Sequence, residues 1–154
     1  MSGIYTAVFN NVAVTAIQDL FEIVAAADAV VLLHDIHLSQ NTDVGDAAEE
    51  VLRIELTSGH TTSGSGGSAP TAIPRDIGQA AFGGTIEVNN TTQASAGTIV
   101  TKYVWNWNIR VGFDKIFTPE TRPRIAPGTR MCLELPAAPA DSVTMSGSIT
   151  IEEI

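Results

Sequence analysis

The chain has 154 residues, 44% of them hydrophobic, and carries 17 acidic against 8 basic side chains for a formal net charge of −9. That length suits one domain, since domains commonly run to ~100–150 residues, and the apolar share suits a packed core rather than disorder. The acidic balance excludes a nucleic acid or an anionic membrane as the main partner, because neither gains counterion release or attraction from an acidic surface.

In chain order the pattern is a succession of strands. Ile4 to Phe9 reads as a short strand ended by an Asn10-Asn11 turn. Val12 to Ala25 is apolar-rich, and its Val, Ile and Phe content favours strands over a helix near Gln18 to Val24. In Ala29 to Ser39, Val30, Leu32, His34, Ile36 and Leu38 alternate with Val31, Leu33, Asp35, His37 and Ser39, as a strand with two faces requires. Leu52, Ile54 and Leu56 then alternate with Val51, Arg53, Glu55 and Thr57.

From Ser58 to Pro74 the sequence SGHTTSGSGGSAPTAIP has no periodicity and reads as a long loop. Thr61 to Ser68 has little apolar area to bury, so it is expected to be mobile until a partner orders it. One helical turn is expected over Ile77 to Phe82, and a strand over Thr85 to Val88, closed by Asn89-Asn90. Gly97 to Gly112 reads as one long strand, with Ile99, Thr101, Tyr103, Trp105, Trp107, Ile109 and Val111 on its bulky face. After the irregular PETRPRIAPG segment, Met131 to Leu135 and Ser142 to Glu153 resume the alternation. About eight strands without a convincing long helix predict an all-β fold, an antiparallel β-sandwich of jelly-roll type, in a single domain over 1–154. The long Ser58 to Pro74 connection suits a link that crosses between sheets.

Candidate chemistry is sparse. Cys132 is the only cysteine, so no intramolecular disulfide forms; on a strand it pairs with Glu134 on the face opposite Met131, Leu133 and Leu135, and reads as a small filler. His34, Asp35 and His37 form HDIH, but residues three apart on a strand face opposite ways and do not share an ion. Asp43, Asp46, Glu49 and Glu50 lack the spacing of an EF-hand loop and read as a solvated acidic loop. GSGGS is not followed by the GK[ST] of a phosphate-binding loop, and no GxSxG serine motif is present. Trp105 and Trp107 share a face: buried they are core, exposed they are a platform for a sugar. The N-terminal MSGIYTAVFNN lacks the charged region and apolar run of a signal peptide and no stretch approaches the ~20 apolar residues of a membrane helix, so synthesis in the cytoplasm is expected, with residence there or exit by a route that needs no Sec signal.

The stretches QDLFEIVAAADAVV (18–31), SGHTTSGSGGSAPT (58–71), VNNTTQAS (88–95) and APADSVTMSGSITIEEI (138–154) resemble a set of small proteins encoded in tailed-phage structural gene clusters and prophages. These are similar in size to capsid decoration, or cement, proteins, often trimers of β-sandwich subunits. The resemblance implies a non-enzymatic virion protein on the capsid surface. It would stabilise the head by bridging subunits of the major capsid protein, as a homotrimer without cofactor, metal, nucleic acid or membrane partner. The expected contacts are Ser2 and Tyr5 near the N-terminus, His60, Thr61 and Pro70 in the loop, and Arg122, Arg124 and Arg130. The alternative is a carbohydrate-binding jelly-roll module using Trp105, Trp107 and Asn106 or Asn108.

Overall fold

The computed structural model describes residues 2–42 and 50–154. Among them run eleven strands and no helix: β1 (Gly3–Val14), β2 (Gln18–Val24), β3 (Val31–Gln40), β4 (Val51–Ser58), β5 (Ile73–Pro74), β6 (Thr85–Asn90), β7 (Val100–Asn108), β8 (Phe113–Ile116), β9 (Arg124–Ile125), β10 (Arg130–Leu135) and β11 (Val143–Glu153). The first sheet has the order β5-β1-β11-β3-β8, with β9 also paired to β3; the second has the order β6-β2-β10-β4-β7. Every pairing is antiparallel.

With the edge additions β5, β6 and β9 set aside, the main strands pair from the outside inward: β1 with β11, β2 with β10, β3 with β8, and β4 with β7. Successive pairs fall alternately into the first and second sheet, which is what rolling one long antiparallel ribbon produces. The sandwich is therefore the expected jelly roll. The segment after β4 crosses from the second sheet to β5 in the first, as its length suggested.

Alternation builds the core. Leu52, Ile54 and Leu56 of β4, Met131, Leu133 and Leu135 of β10, and Val143, Met145, Ile149 and Ile151 of β11 are all buried between the sheets. Burial of each large side chain contributes about 1.5–3 kcal/mol. Gly147 holds a place on this face where a Cβ would come within 2.6 Å of the Phe9 ring. Its missing side chain lets Phe9 reach Phe21, at 5.2 Å between centroids.

Four local expectations change. Asn10-Asn11 does not end a strand; β1 continues through a bulge between Phe9 and Val12, with Asn11 at φ 52° and its N–H donated to Ser146 Oγ at 3.0 Å. In β3 a register shift at His34 switches the phase, so Val31 and Leu33 are buried before it and Ile36 and Leu38 after it. The tryptophan strand is shorter than Gly97 to Gly112. Its inward face spans Tyr103 to Ile109, while Ile99 and Val111 are exposed. The Ile77 to Phe82 stretch makes a turn, not a helical one.

β7 and β8 lie at the same side of the sandwich, and aromatic rings close the gap between them. Tyr103 stacks on Trp105 at 5.4 Å and 3° between planes. Trp105 meets Phe113 edge-on at 5.5 Å, and Tyr103 meets Phe117 at 5.5 Å. Trp107 is buried and its indole N–H donates to the Val111 carbonyl at 2.6 Å.

Candidate functional site

The second sheet carries an unusual outer face. In β2, Phe21 and Ile23 belong to the core while Asp19 and Glu22 are equally buried. The register sets Cys132 of β10 beside Glu22 of β2 and Thr57 of β4, and Glu134 beside Asp19. These side chains would meet water if the sheet were bare, but the chain lays two irregular segments over them. Thr61 and Thr62 donate their N–H groups to the Ser95 carbonyl, Ser65 exchanges hydrogen bonds with Thr92, and Ser68 does so with Val88. The Gly64 N–H reaches down to Glu22 Oε2 at 2.9 Å, and the Ala94 N–H to Asp19 Oδ2 at 2.7 Å.

The glycine content of the loop has a steric cause here. A Cβ on Gly67 would sit 2.0 Å from the Val88 carbonyl oxygen, and one on Gly59, at φ +94°, would sit 2.0 Å from that of Thr98. Backbone presses on backbone, so only a thin chain fits. Thr61 to Ser68 is tied down by its own chain, which corrects the expectation that an outside partner must order it.

Beneath this lid the polar groups interlock. Arg130 Nη1 lies 3.2 Å from Glu22 Oε1 and donates to Ser63 Oγ at 2.5 Å. His60 faces Glu134 Oε1 through Nε2 at 2.9 Å and the Cys132 Sγ through Nδ1 at 3.8 Å. Thr57 Oγ1 donates to Glu134 Oε1 at 2.6 Å, and Asn90 Nδ2 to Glu22 Oε2 at 3.2 Å. Asp19 Oδ1 is buried and has no hydrogen-bond partner.

Burial, above all, pushes the Asp19 carboxyl up to about 7, with the Glu134 and Glu22 charges acting in the same direction against the Ala94 and Gln93 amides. Burial likewise drives the Cys132 thiol far above its ordinary value, reinforced by the Asp19, Glu22 and Glu134 carboxylates and opposed by Arg130. Cysteine, imidazole and carboxylate follow one another as in a thiol nucleophile with its base. A sealed thiol held protonated by its neighbours is nevertheless not a nucleophile. What the arrangement offers is ligands: the donor atoms of His60, Cys132 and Glu134 lie within 4.8 Å of one another, as do those of Asp19, Glu22 and Cys132.

The expected contact residues land in separate places. Ser2 is exposed, its carbonyl accepting from Gln79 Nε2 at 3.1 Å. Tyr5 is only 1% exposed, with its hydroxyl donated to the Ala80 carbonyl at 2.9 Å, and as a core residue it presents no contact surface. His60, expected on a free loop, is buried in the cluster. Thr61 is exposed on the lid and Pro70 half-buried beyond it. Arg122 lies 3.8 Å from Glu152, and Arg124 is exposed in β9. Only Arg130 and the loop meet, at Ser63.

The sugar-platform premise fails for the two tryptophans, because Trp107 is buried and Trp105 is packed against the core within the aromatic seam. His34 pairs with Glu152 at 2.8 Å, while His37 pairs with Asp114 and lies 3.5 Å from Asp35. The bulge at His34 removes the period-two argument, yet the two histidines still keep separate partners. Cys132 is no filler but the centre of the polar cluster. Of the acidic loop, Asp43, Asp46 and Glu49 lie outside the described residues, and Glu50 accepts the Ala140 N–H at 2.6 Å. Sequence reasoning missed Asp19, Glu22 and Glu134; the available signal was QDLFE, in which charges interrupt a strand whose surroundings are apolar.

No family model matches the chain, and no curated protein matches it. Among solved structures, it is aligned to T=1 particles derived from infectious bursal virus at 13% identity and a TM-score of 0.20, covering 98% of this chain and 40% of that one. It is also aligned to the Gx strain of infectious bursal disease virus at 14% identity and a TM-score of 0.18, covering 99% and 42%. The chain thus spans about two fifths of the length of these neighbours.

Proposed function

We propose that the chain is a structural virion protein, one that decorates a tailed-phage capsid and stabilises it by bridging major-capsid subunits as a symmetric trimer. The jelly roll is an architecture that viral capsid and lectin domains share, and the resemblance of its four quoted stretches to phage virion proteins selects the former. The observation that carries the reading is the contrast on the outer face of the second sheet. Its reactive side chains are sealed, while beside them the β4–β7 edge shows Val51 and Val104, about half exposed at 57% and 48%, with Val100, 52% exposed, at the end of the same edge strand beyond a bulge.

β7 ends its sheet, and an edge strand presents unpaired N–H and C=O groups to any strand laid against it. Apolar side chains beside such an edge suit a junction buried between neighbours. Symmetric repetition then multiplies modest contacts by avidity.

Mixing the purified protein with undecorated heads of the encoding phage tests this. It is expected to co-sediment at a fixed ratio per capsomer, to scatter light as a trimer, and to lose attachment on Val100→Lys with Val104→Lys. Failure to attach to heads at saturating concentration would overturn the reading.

A further inference from the structure

We propose that the cluster beneath the Gly/Ser lid is a binding site for one divalent transition ion of zinc's chemistry, held by Cys132 Sγ, His60, Glu134 and Asp19. Thiolate, imidazole and carboxylate are the ligands that zinc takes, four at a time and in tetrahedral array. At zinc–ligand lengths of ~2.0–2.3 Å, neighbouring donor atoms stand roughly 3.5 Å apart. The 3.8 Å between His60 Nδ1 and Cys132 Sγ is close to that spacing, while Glu134 Oε1 now sits at the ring's other nitrogen, Nε2, and leaves that contact to reach the same ion. Cys132 is the donor common to both groups, so Asp19 joins His60 and Glu134 through it, and one ion takes all four when the Asp19 carboxylate turns toward them.

Two further observations point to a cation as the ligand. Asp19 is fully buried, yet its Oδ1 has no partner, whereas the Glu22 oxygens are taken by Arg130, Gly64 and Asn90. That free oxygen is the reason to choose Asp19 over Glu22 as the fourth ligand. The charges are also unbalanced: Arg130 pairs with Glu22 and His60 faces Glu134, whereas Asp19 meets only amide donors, from Ala94 and Gln93. A buried carboxylate without a counter-charge is costly. The same carboxylates that keep the free thiol protonated would be neutralised by a dication, and binding would release the thiol proton to solvent.

Entry needs the lid to lift or the ion to be present as the chain folds, so the site is filled by refolding the full chain with metal. Cobalt(II) reports on it directly. The wild-type protein is expected to take up one cobalt per chain, with the visible bands of a tetrahedral ion and a near-ultraviolet sulfur-to-metal band, both displaced by zinc. Zinc is expected to raise Tm relative to protein kept in chelator. Cys132→Ser should remove the sulfur band, and His60→Gln or Asp19→Asn should weaken uptake at least tenfold. His37→Ala, on the surface, should change nothing.

Absence of the bands in wild type at saturating cobalt, with no zinc-dependent change in Tm, would overturn the proposal. So would bands that survive Cys132→Ser but vanish in His37→Ala, which would move the ion to the surface histidines. The wild-type readings decide the matter even where a variant fails to fold. The site stands or falls independently of attachment to a capsid, since it is read on the isolated protein.

Discussion

Where β2 and β10 pair, the two faces of the second sheet are both dry, and they are dry for opposite reasons. On the inner face Phe21, Ile54, Leu56, Met131 and Leu133 exclude water because their burial is itself the stabilising event. On the outer face Asp19, Glu22, Cys132 and Glu134 are covered by a loop with almost no apolar side chain. There the balance rests on whether each polar group finds a partner. The inner face tolerates any residue of the right size and apolarity, whereas the outer one tolerates only the particular set that satisfies itself. Buried area alone does not distinguish a core from a site.

Substitutions sharpen that contrast. Trp107→Ala on the inner face is expected to cost about 3–5 kcal/mol in urea unfolding, and Trp105→Ala less, because its ring sits at the partly open seam. Equal costs would show that the seam is as dry as the core. On the outer face Glu22→Ala should cost about 3 kcal/mol, since Arg130 loses its buried partner. A near-neutral result would mean that the lid admits water.

Asp19 gives the outer face a pH dependence that the inner face lacks. Its folded carboxyl keeps its proton up to about pH 7, while the unfolded one loses it near 3.8. Between those values the folded state therefore holds the extra proton. The stability this contributes is complete below about pH 4 and is lost as pH rises through 7. In chelator, Tm is accordingly expected to fall from pH 5 to pH 8. Asp19→Asn should flatten that slope, its advantage over wild type growing by roughly 2–3 kcal/mol between pH 5 and pH 8. A wild-type slope of the opposite sign would show that the carboxylate is held ionised. The smallest effect belongs to the uncovered part of the same outer face, where Val104→Lys should stay within about 0.5 kcal/mol.

The inner face was legible in the residues. Alternation over Leu52 to Leu56, Met131 to Leu135 and Val143 to Ile151 names the buried side chains, and strands without helices led to the sandwich. Bulges were not legible, because a single extra residue at His34 or Asn11 leaves the local composition unchanged while inverting every side chain beyond it. The outer cluster was hidden for a different reason. Its members come from β2, β10, the end of β4 and the loop, and only the pairing of β2 with β10 makes Glu22 a neighbour of Cys132. GSGGS reads as a flexible tether in isolation. It becomes a lid only because the Asn89 to Ser95 backbone lies where any side chain would collide.

The nesting of pairs inside the roll also fixes an order of events in time. β4 and β7 enclose the shortest stretch of chain among the main pairs, β3 and β8 enclose them, β2 and β10 enclose those, and Gly3 meets Glu153 around everything else. Each outer closure is entropically cheaper once the inner ones exist, because the effective loop it must close is shorter. Folding is thus expected to run as a zipper from the β4–β7 ribbon to the two chain termini. Such non-local topology places it among proteins that fold in about milliseconds to seconds. In that order the polar cluster is expected to assemble late, when β10 reaches β2, with its charges hydrated until most of the roll is closed.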